Sequence, residues 1–422
     1  FFKKRVWRID RRPVTKYALD KAVEVIKNAK KPLLICGGGV RYAEAHKVFK
    51  KFAEDFGIAF GETQAGKSAV VWDHELNLGG LGTTGGIAAN KLAHEADVVI
   101  GVGTRYTDFT TASKTQFKNP DVSSVNVNIP PFDAAKQSAE MVVSDAREAL
   151  VALTEALADY HVDESYTAEI AAEREAWAAK VEQCYHVGNA PLPAQTEVFG
   201  ALNELMGDED VVINAAGSMP GDLQALWQAK TPVQYHVEYA FSCMGYEVPA
   251  AMGVKLARPQ SEVVSIVGDG TYQMLPMELA TVAQEGIKVI YVLLQNYGFA
   301  SIGALSESRG SQRFGTKYRQ RGTGSHLEDT DTIAGVDIAA NARSWGIDVL
   351  EVHTIEEFKE AYKAAAASDR ATMIHIETDL MGPNPPGSSW WDVAISEVSV
   401  LESTQRAYED YQRDRKPQRH YL

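Results

Sequence analysis

The sequence predicts an α/β protein built from two doubly wound parallel sheets, and three features predict it. Apolar runs such as 263–267 and 289–294 are too short for independent helices and lack polar alternation, as expected of strands buried on both faces. These runs alternate with amphipathic helical stretches, which makes βαβ units and a parallel sheet. Glycines stand at the strand exits, at Gly37-Gly38-Gly39, Gly101, Gly103 and Gly268-Asp269-Gly270, where the chain must turn tightly into the next element. At 422 residues the chain is long for a single core, so two domains are expected.

Taken in order, residues 1–12 carry Lys3, Lys4, Arg5 and Arg8 and read as a linker. A first, Rossmann-like domain follows over 13–158, with helices at 17–29 and 43–56 and strands at 32–36 and 97–103. Its glycine exits suggest a nucleotide, but no G-x-G-x-x-G opens a helix in the right place, which argues against dinucleotide binding. Residues 159–193 turn rich in Glu and Ala and form a charged connecting helix, closed by a linker with Pro191 and Pro193. The second domain spans 194–380, with strands near Val211, Val263, Val289, Val349 and Met373. Between two of them, 274–285 reads as a helix with Leu275, Leu279 and Val282 on one stripe, and its crossover should be right-handed. The Gly-, Ser- and Arg-rich tract 306–331 has no periodicity and reads either as a flap over a substrate or as a disordered loop. The tail, 381–422, holds an amphipathic helix from Trp390 to Tyr411, whose paired tryptophans either anchor it to the core or close over a site.

Composition narrows the function. A net charge of −14 excludes a basic face able to neutralise nucleic-acid phosphates. Cys36, Cys184 and Cys243 are odd in number and scattered, which points to a reducing cytoplasm rather than a disulfide framework. No apolar stretch reaches membrane-spanning length, so no membrane association is expected.

The chemistry concentrates where two strands end. Asp269 and Asn296 stand 27 residues apart with a whole βαβ unit between them, and in open parallel sheets ligands collect beyond the carboxyl ends of strands. A hard cation such as Mg²⁺ prefers oxygen ligands and shares them with phosphates and water. Asp269 offers a carboxylate, Asn296 an amide oxygen and Gly298 a backbone carbonyl. Gly268 and Gly270 would let the backbone approach a bulky anion and present amides to it, and a helix starting near Thr271 would add its positive end. Taken alone, Gly-Asp-Gly is equally a strand-to-helix turn.

With that spacing, Gly268-Asp269-Gly270 and Asn296-Tyr297-Gly298 resemble the signature of the thiamine-diphosphate-dependent enzymes; Gln295 stands where a first Asn is common, outside the metal ligands. Tyr239-Ala240-Phe241-Ser242-Cys243-Met244-Gly245-Tyr246-Glu247 resembles that family's coenzyme-bending loop. The resemblance implies that Met244 wedges between the coenzyme's rings and that the Ser242 carbonyl accepts from the aminopyrimidine; read without it, Met244 is a gap-filling core methionine. Asn214-Ala215-Ala216-Gly217-Ser218-Met219-Pro220-Gly221-Asp222 is similar to a diphosphate-contacting loop, with Ala216, Gly217 and Ser218 as contacts, and also reads as a turn in which Ser218 caps a helix. Phe299 and Ala300 complete the implied coenzyme contacts.

Further segments, Glu62-Thr63-Gln64-Ala65-Gly66-Lys67-Ser68, Gly101 to Phe109, Ser389-Trp390-Trp391-Asp392-Val393 and Glu397-Val398-Ser399, resemble the C–C bond hydrolases that open a cyclic 1,2-dione to 5-deoxyglucuronate in inositol catabolism. That resemblance implies thiamine diphosphate and Mg²⁺ as cofactors, a small cyclic dione as substrate, and a homodimer or homotetramer with its site between subunits. It also implies three domains, of which these two would be the middle and diphosphate-binding ones. The pyrimidine-binding domain, with the glutamate that acts on the aminopyrimidine and is needed for activity, would lie outside this chain. The alternatives are an acetolactate-synthase-like carboligase or oxo-acid decarboxylase and, in another class, a non-catalytic cofactor-binding fragment.

Overall fold

A computed structural model describes residues 3–239, 241–320 and 333–419. It contains two six-stranded, all-parallel sheets. The first comprises β1 Pro32–Cys36, β2 Phe60–Glu62, β3 Asn77–Gly80, β4 Val98–Val102, β5 Ser123–Asn128 and β6 Glu140–Val143, in the order β3-β2-β1-β4-β5-β6. The second comprises β7 Val211–Asn214, β8 Tyr235–Val237, β9 Val263–Gly268, β10 Ile290–Gln295, β11 Asp348–Val352 and β12 Thr372–Glu377, in the order β11-β12-β10-β9-β7-β8. The central strands β1, β4, β9 and β10 are buried almost throughout, which is why they read as unbroken apolar runs.

The first sheet has the strand order of dinucleotide-binding folds, yet its switch point, between β1 and β4, is filled by protein. Gly39 and Gly103 pack backbone to backbone there, so closely that a Cβ on Gly39 would lie 2.5 Å from the Cα of Gly103. Its glycine exits let two turns meet. In the second sheet the order reverses between β7 and β9, and there the crevice at the carboxyl ends stays open.

The connecting helix runs over Glu164–Tyr185 and is more than a solvated strut. Its stripe Tyr166, Ile170, Trp177, Val181 and Tyr185 is buried; the Tyr166 hydroxyl donates to the Pro32 carbonyl at the start of β1, and that of Tyr185 to the Leu226 carbonyl in the second unit.

Three expected elements differ. The helix anticipated over 274–285 is confined to Glu278–Gln284, because Pro276 disfavours helical backbone at Leu275 before it. The tail helix occupies Glu402–Asp414 rather than starting at Trp390. The tryptophan segment is instead held against the first unit: Trp391 packs on Phe109, the Asp392 amide donates to Ser113 Oγ at 2.9 Å, and Trp390 stacks on Tyr411. The tract read as aperiodic begins inside a helix, Ala300–Ser308, and continues to a bridge between Gly298 and Lys317; its portion 321–332 lies outside the described residues.

Candidate cofactor site

Four loops at the carboxyl ends of β7, β8, β9 and β10 wall a cavity of about 200 Å³. From β7 come Ala216, Gly217 and Ser218; from the segment after β8, Ser242 and Met244; from β9, Gly268, Asp269, Gly270 and Thr271; from β10, Asn296, Gly298, Phe299 and Ala300. Every residue expected as a metal ligand or a coenzyme contact therefore lines one space. Ala240 of the bending segment lies outside the described residues. Gln195, Met219, Leu294, Ser301 and Ile302 line it too, and of these Gln195 and Ile302 belong to no segment that the sequence singled out. No lysine or arginine is among the lining residues.

Asp269 organises the metal-side wall. Its Oδ2 accepts the backbone N–H groups of Asn296, Tyr297 and Gly298 at 3.2, 2.6 and 3.3 Å, and its Oδ1 that of Gly270 at 2.8 Å. Burial pushes the Asp269 carboxyl up to about 6, against the pull of these four donors. Tyr297 sits in the left-handed region, at φ 59°, and the shortest of the four bonds holds it there. Gly298 faces Lys317 in an antiparallel bridge whose ladder bonds run through its neighbours, Phe299 N–H to Thr316 O and Tyr318 N–H to Tyr297 O, so the ladder leaves the Gly298 carbonyl unused. A Cβ at 298 would come within 2.2 Å of Thr316 O, so only glycine fits.

Asn296 supplies the test of fit. Its Oδ1 is fully buried and has no hydrogen-bond partner, an arrangement that costs about 1–3 kcal/mol unless a ligand satisfies it. A cation resolves that cost, and with Asp269 beside it the donor set is the all-oxygen kind that Mg²⁺ accepts. Among the described residues no group of three or more His, Cys, Asp or Glu forms a metal cluster, so the remaining positions would fall to backbone, phosphate and water oxygens.

The donors for an anion differ from those expected. The helix after Asp269 is a single turn, Asp269–Tyr272, and the Gly270 amide is taken by the Asp269 side chain. Gly270 is small for another reason: a Cβ would press on the Phe299 ring at 3.0 Å. The positive end that opens on the cavity belongs to the nine-residue helix Ala300–Ser308, which has no side-chain cap. Its first amides, at Ala300, Ser301 and Ile302, have no intrahelical acceptor, and these three residues line the cavity. Ser218 begins the helix Met219–Leu226 without capping it, because its own backbone is already helical. Its hydroxyl donates to Gln195 Oε1 at 3.1 Å, and Gln195 Nε2 donates to Asp222 Oδ2 at 2.7 Å. Burial pushes Asp222 up to about 7.

Residues 19–153 match the family model described as the thiamine pyrophosphate enzyme central domain, and residues 215–376 match the thiamine pyrophosphate enzyme C-terminal TPP binding domain. The chain is also 45% identical, over 97% of its length and 67% of the relative's, to a 3D-(3,5/4)-trihydroxycyclohexane-1,2-dione hydrolase of Bacillus cereus (strain AH820). Proteins of the same name from Bacillus thuringiensis (strain Al Hakam) and Bacillus anthracis match at the same identity and coverage.

Proposed function

This chain belongs to the thiamine pyrophosphate enzyme family, and on that premise we propose that it is a thiamine-diphosphate- and Mg²⁺-dependent C–C bond hydrolase opening 3D-(3,5/4)-trihydroxycyclohexane-1,2-dione to 5-deoxyglucuronate. The observation that carries the reading is the buried, unpartnered Asn296 Oδ1 beside Asp269, in a crevice that offers an anion backbone amides but no basic side chain.

In this reading Asp269, Asn296 and the Gly298 carbonyl hold the metal, and the diphosphate takes the amides that open the helix Ala300–Ser308 together with those of the Ala216–Ser218 loop. Met244 bears on the coenzyme's rings, and the Ser242 carbonyl orients the aminopyrimidine. Bound thiamine diphosphate supplies the electron sink that C–C cleavage requires. The chain's task is orientation and water exclusion, which bring reacting groups to near-attack distance.

The reading includes a small-molecule substrate, a cytoplasmic location and a homodimer or homotetramer. Exposed Phe241 and Met274, next to the Ser242–Gly245 turn, are apolar surface that such an assembly would cover. Among the described residues no helix is long and apolar enough to cross a membrane.

Proton NMR of the protein with the cyclic dione, thiamine diphosphate and Mg²⁺ tests the activity. Loss of the dione with appearance of the open-chain acid is expected. Carbon dioxide release from pyruvate without ring opening would move the assignment to a decarboxylase or carboligase, and coenzyme binding with no turnover would leave a binding fragment.

A further inference from the structure

One buried carboxyl touches three of the four loops that wall the cavity. Glu247 begins the helix Glu247–Ala257, is 0% exposed, and lines no part of the cavity. The Thr271 hydroxyl donates to it, with Oγ1 lying 3.1 Å from Oε1 and 2.9 Å from Oε2, and the Ala216 amide donates to Oε1 at 3.4 Å. Thr271 Oγ1 in turn accepts the Gly245 amide at 2.6 Å. The helix end itself is tied down by Ser265 of β9, whose Oγ donates to the Glu247 carbonyl at 3.1 Å.

A hydroxyl has a single hydrogen. That of Thr271 is committed to Glu247, so toward a diphosphate Thr271 has only its backbone amide to offer. The loop at Ala216, the turn at Gly245 and the turn at Asp269–Thr271 therefore converge on the acceptor oxygens of Glu247. Burial raises the carboxyl above its ordinary range, while its own backbone amide, the Thr271 hydroxyl and the amides of Ala216 and Gly245 pull it back.

We propose that Glu247 is a positioning residue that locks the Ala216, Gly245 and Thr271 loops in one mutual arrangement, so that the coenzyme cavity is formed before its ligand arrives. The carboxylate suits this place because it presents acceptors to two separate donors. Glutamine has the same shape but one acceptor, and its NH₂ must face either Thr271 Oγ1–H or Ala216 N–H. The inference rests on the coenzyme reading only for what the cavity holds; the coupling of the loops stands apart from it.

The experiment compares Glu247→Gln, Thr271→Val, Thr271→Ser and the Glu247→Gln/Thr271→Val double variant with the parent, all as the full chain. Amide hydrogen exchange without ligand is read first. Glu247→Gln is expected to speed exchange at least tenfold in peptides covering both 214–218 and 242–246, leaving the first sheet unchanged. The second of these segments leads directly into Glu247, and its Gly245 amide donates to Thr271 Oγ1. Thr271→Ser, which keeps the hydroxyl, should exchange like the parent. Titration calorimetry with thiamine diphosphate at saturating Mg²⁺ is read second. Glu247→Gln and Thr271→Val should each bind at least tenfold more weakly, and the double variant little worse than either, as expected of groups acting as one unit. Parent-like exchange in either loop of Glu247→Gln, or fully additive losses, would overturn the proposal. Should the parent itself bind no thiamine diphosphate, the coenzyme reading falls, and the exchange result alone decides the coupling. A Glu247→Gln chain that opens throughout, first sheet included, would also overturn it, by making the residue a general stability determinant.

Discussion

Asp269 and Asn296 are proposed ligands of one ion, yet their removal should have unequal consequences when nothing is bound. Asp269→Ala strips acceptors from four backbone amides, three of them the consecutive Asn296, Tyr297 and Gly298 that form the turn. At about 1 kcal/mol net for each hydrogen bond, the turn alone loses about 3 kcal/mol. Asn296→Ala removes a buried oxygen that has no partner. The desolvation it relieves offsets the packing it loses, leaving stability within about 1 kcal/mol of the parent. Thermal or denaturant unfolding without Mg²⁺ should therefore show a clear loss for Asp269→Ala and almost none for Asn296→Ala. With Mg²⁺ and thiamine diphosphate at about a hundredfold excess over the dissociation constant, the parent gains about 2.7 kcal/mol through binding, and both variants should lose most of that gain. The reasoning is refuted if ligand-free Asn296→Ala unfolds as easily as Asp269→Ala, or if it keeps the full ligand-induced gain.

Met244→Ala should slow turnover by about tenfold or more while coenzyme affinity changes by less than about threefold, since a wedge sets geometry more than it holds the ligand; a defect confined to affinity in calorimetry would contradict that role. Gly298→Ala puts a Cβ 2.2 Å from the Thr316 carbonyl, a backbone atom that cannot step aside, and should cost about 2 kcal/mol or more in urea unfolding; an unchanged midpoint would show that the 298–317 bridge yields. Asp222, held near 7 by burial, favours its neutral form in the fold. Its contribution is complete below the ordinary carboxylate range and is lost as pH rises through about 7. Between about pH 5 and about pH 8 the parent should lose about 1–2 kcal/mol relative to Asp222→Asn, allowing for partial solvent access; parallel stability curves would contradict it.

The alternation of apolar runs with amphipathic segments was enough to read both sheets, because a strand buried on both faces leaves an unmistakable signal. Short strands hid from the same reasoning: β8, Tyr235–Val237, holds a histidine and is only three residues long, and β2 is three residues with a central glycine. Position in the chain misled at the tail, where the segment of Trp391 and Asp392 is held by Phe109 and by the Asp392–Ser113 bond, contacts nearly three hundred residues away in sequence. The cavity's lining was legible wherever a strand ended in Gly-Asp-Gly, Asn-x-Gly or Gly-Ser. Gln195 was not, because its place depends on Asp222 and Ser218 meeting it in space. The glycines also show how a correct position can carry a different reason. Gly270 serves the Phe299 ring and the Asp269 side chain, and the amides facing the cavity come from the helix Ala300–Ser308.

The most direct measurement replaces Mg²⁺ by Mn²⁺ in crystals grown with thiamine diphosphate and locates the metal by its anomalous scattering. A single peak within coordinating distance of Asp269 Oδ, Asn296 Oδ1 and the Gly298 carbonyl, with the diphosphate completing the shell, is the predicted result. Coenzyme bound with the manganese elsewhere, or Asn296 Oδ1 still without a ligand, would contradict the account.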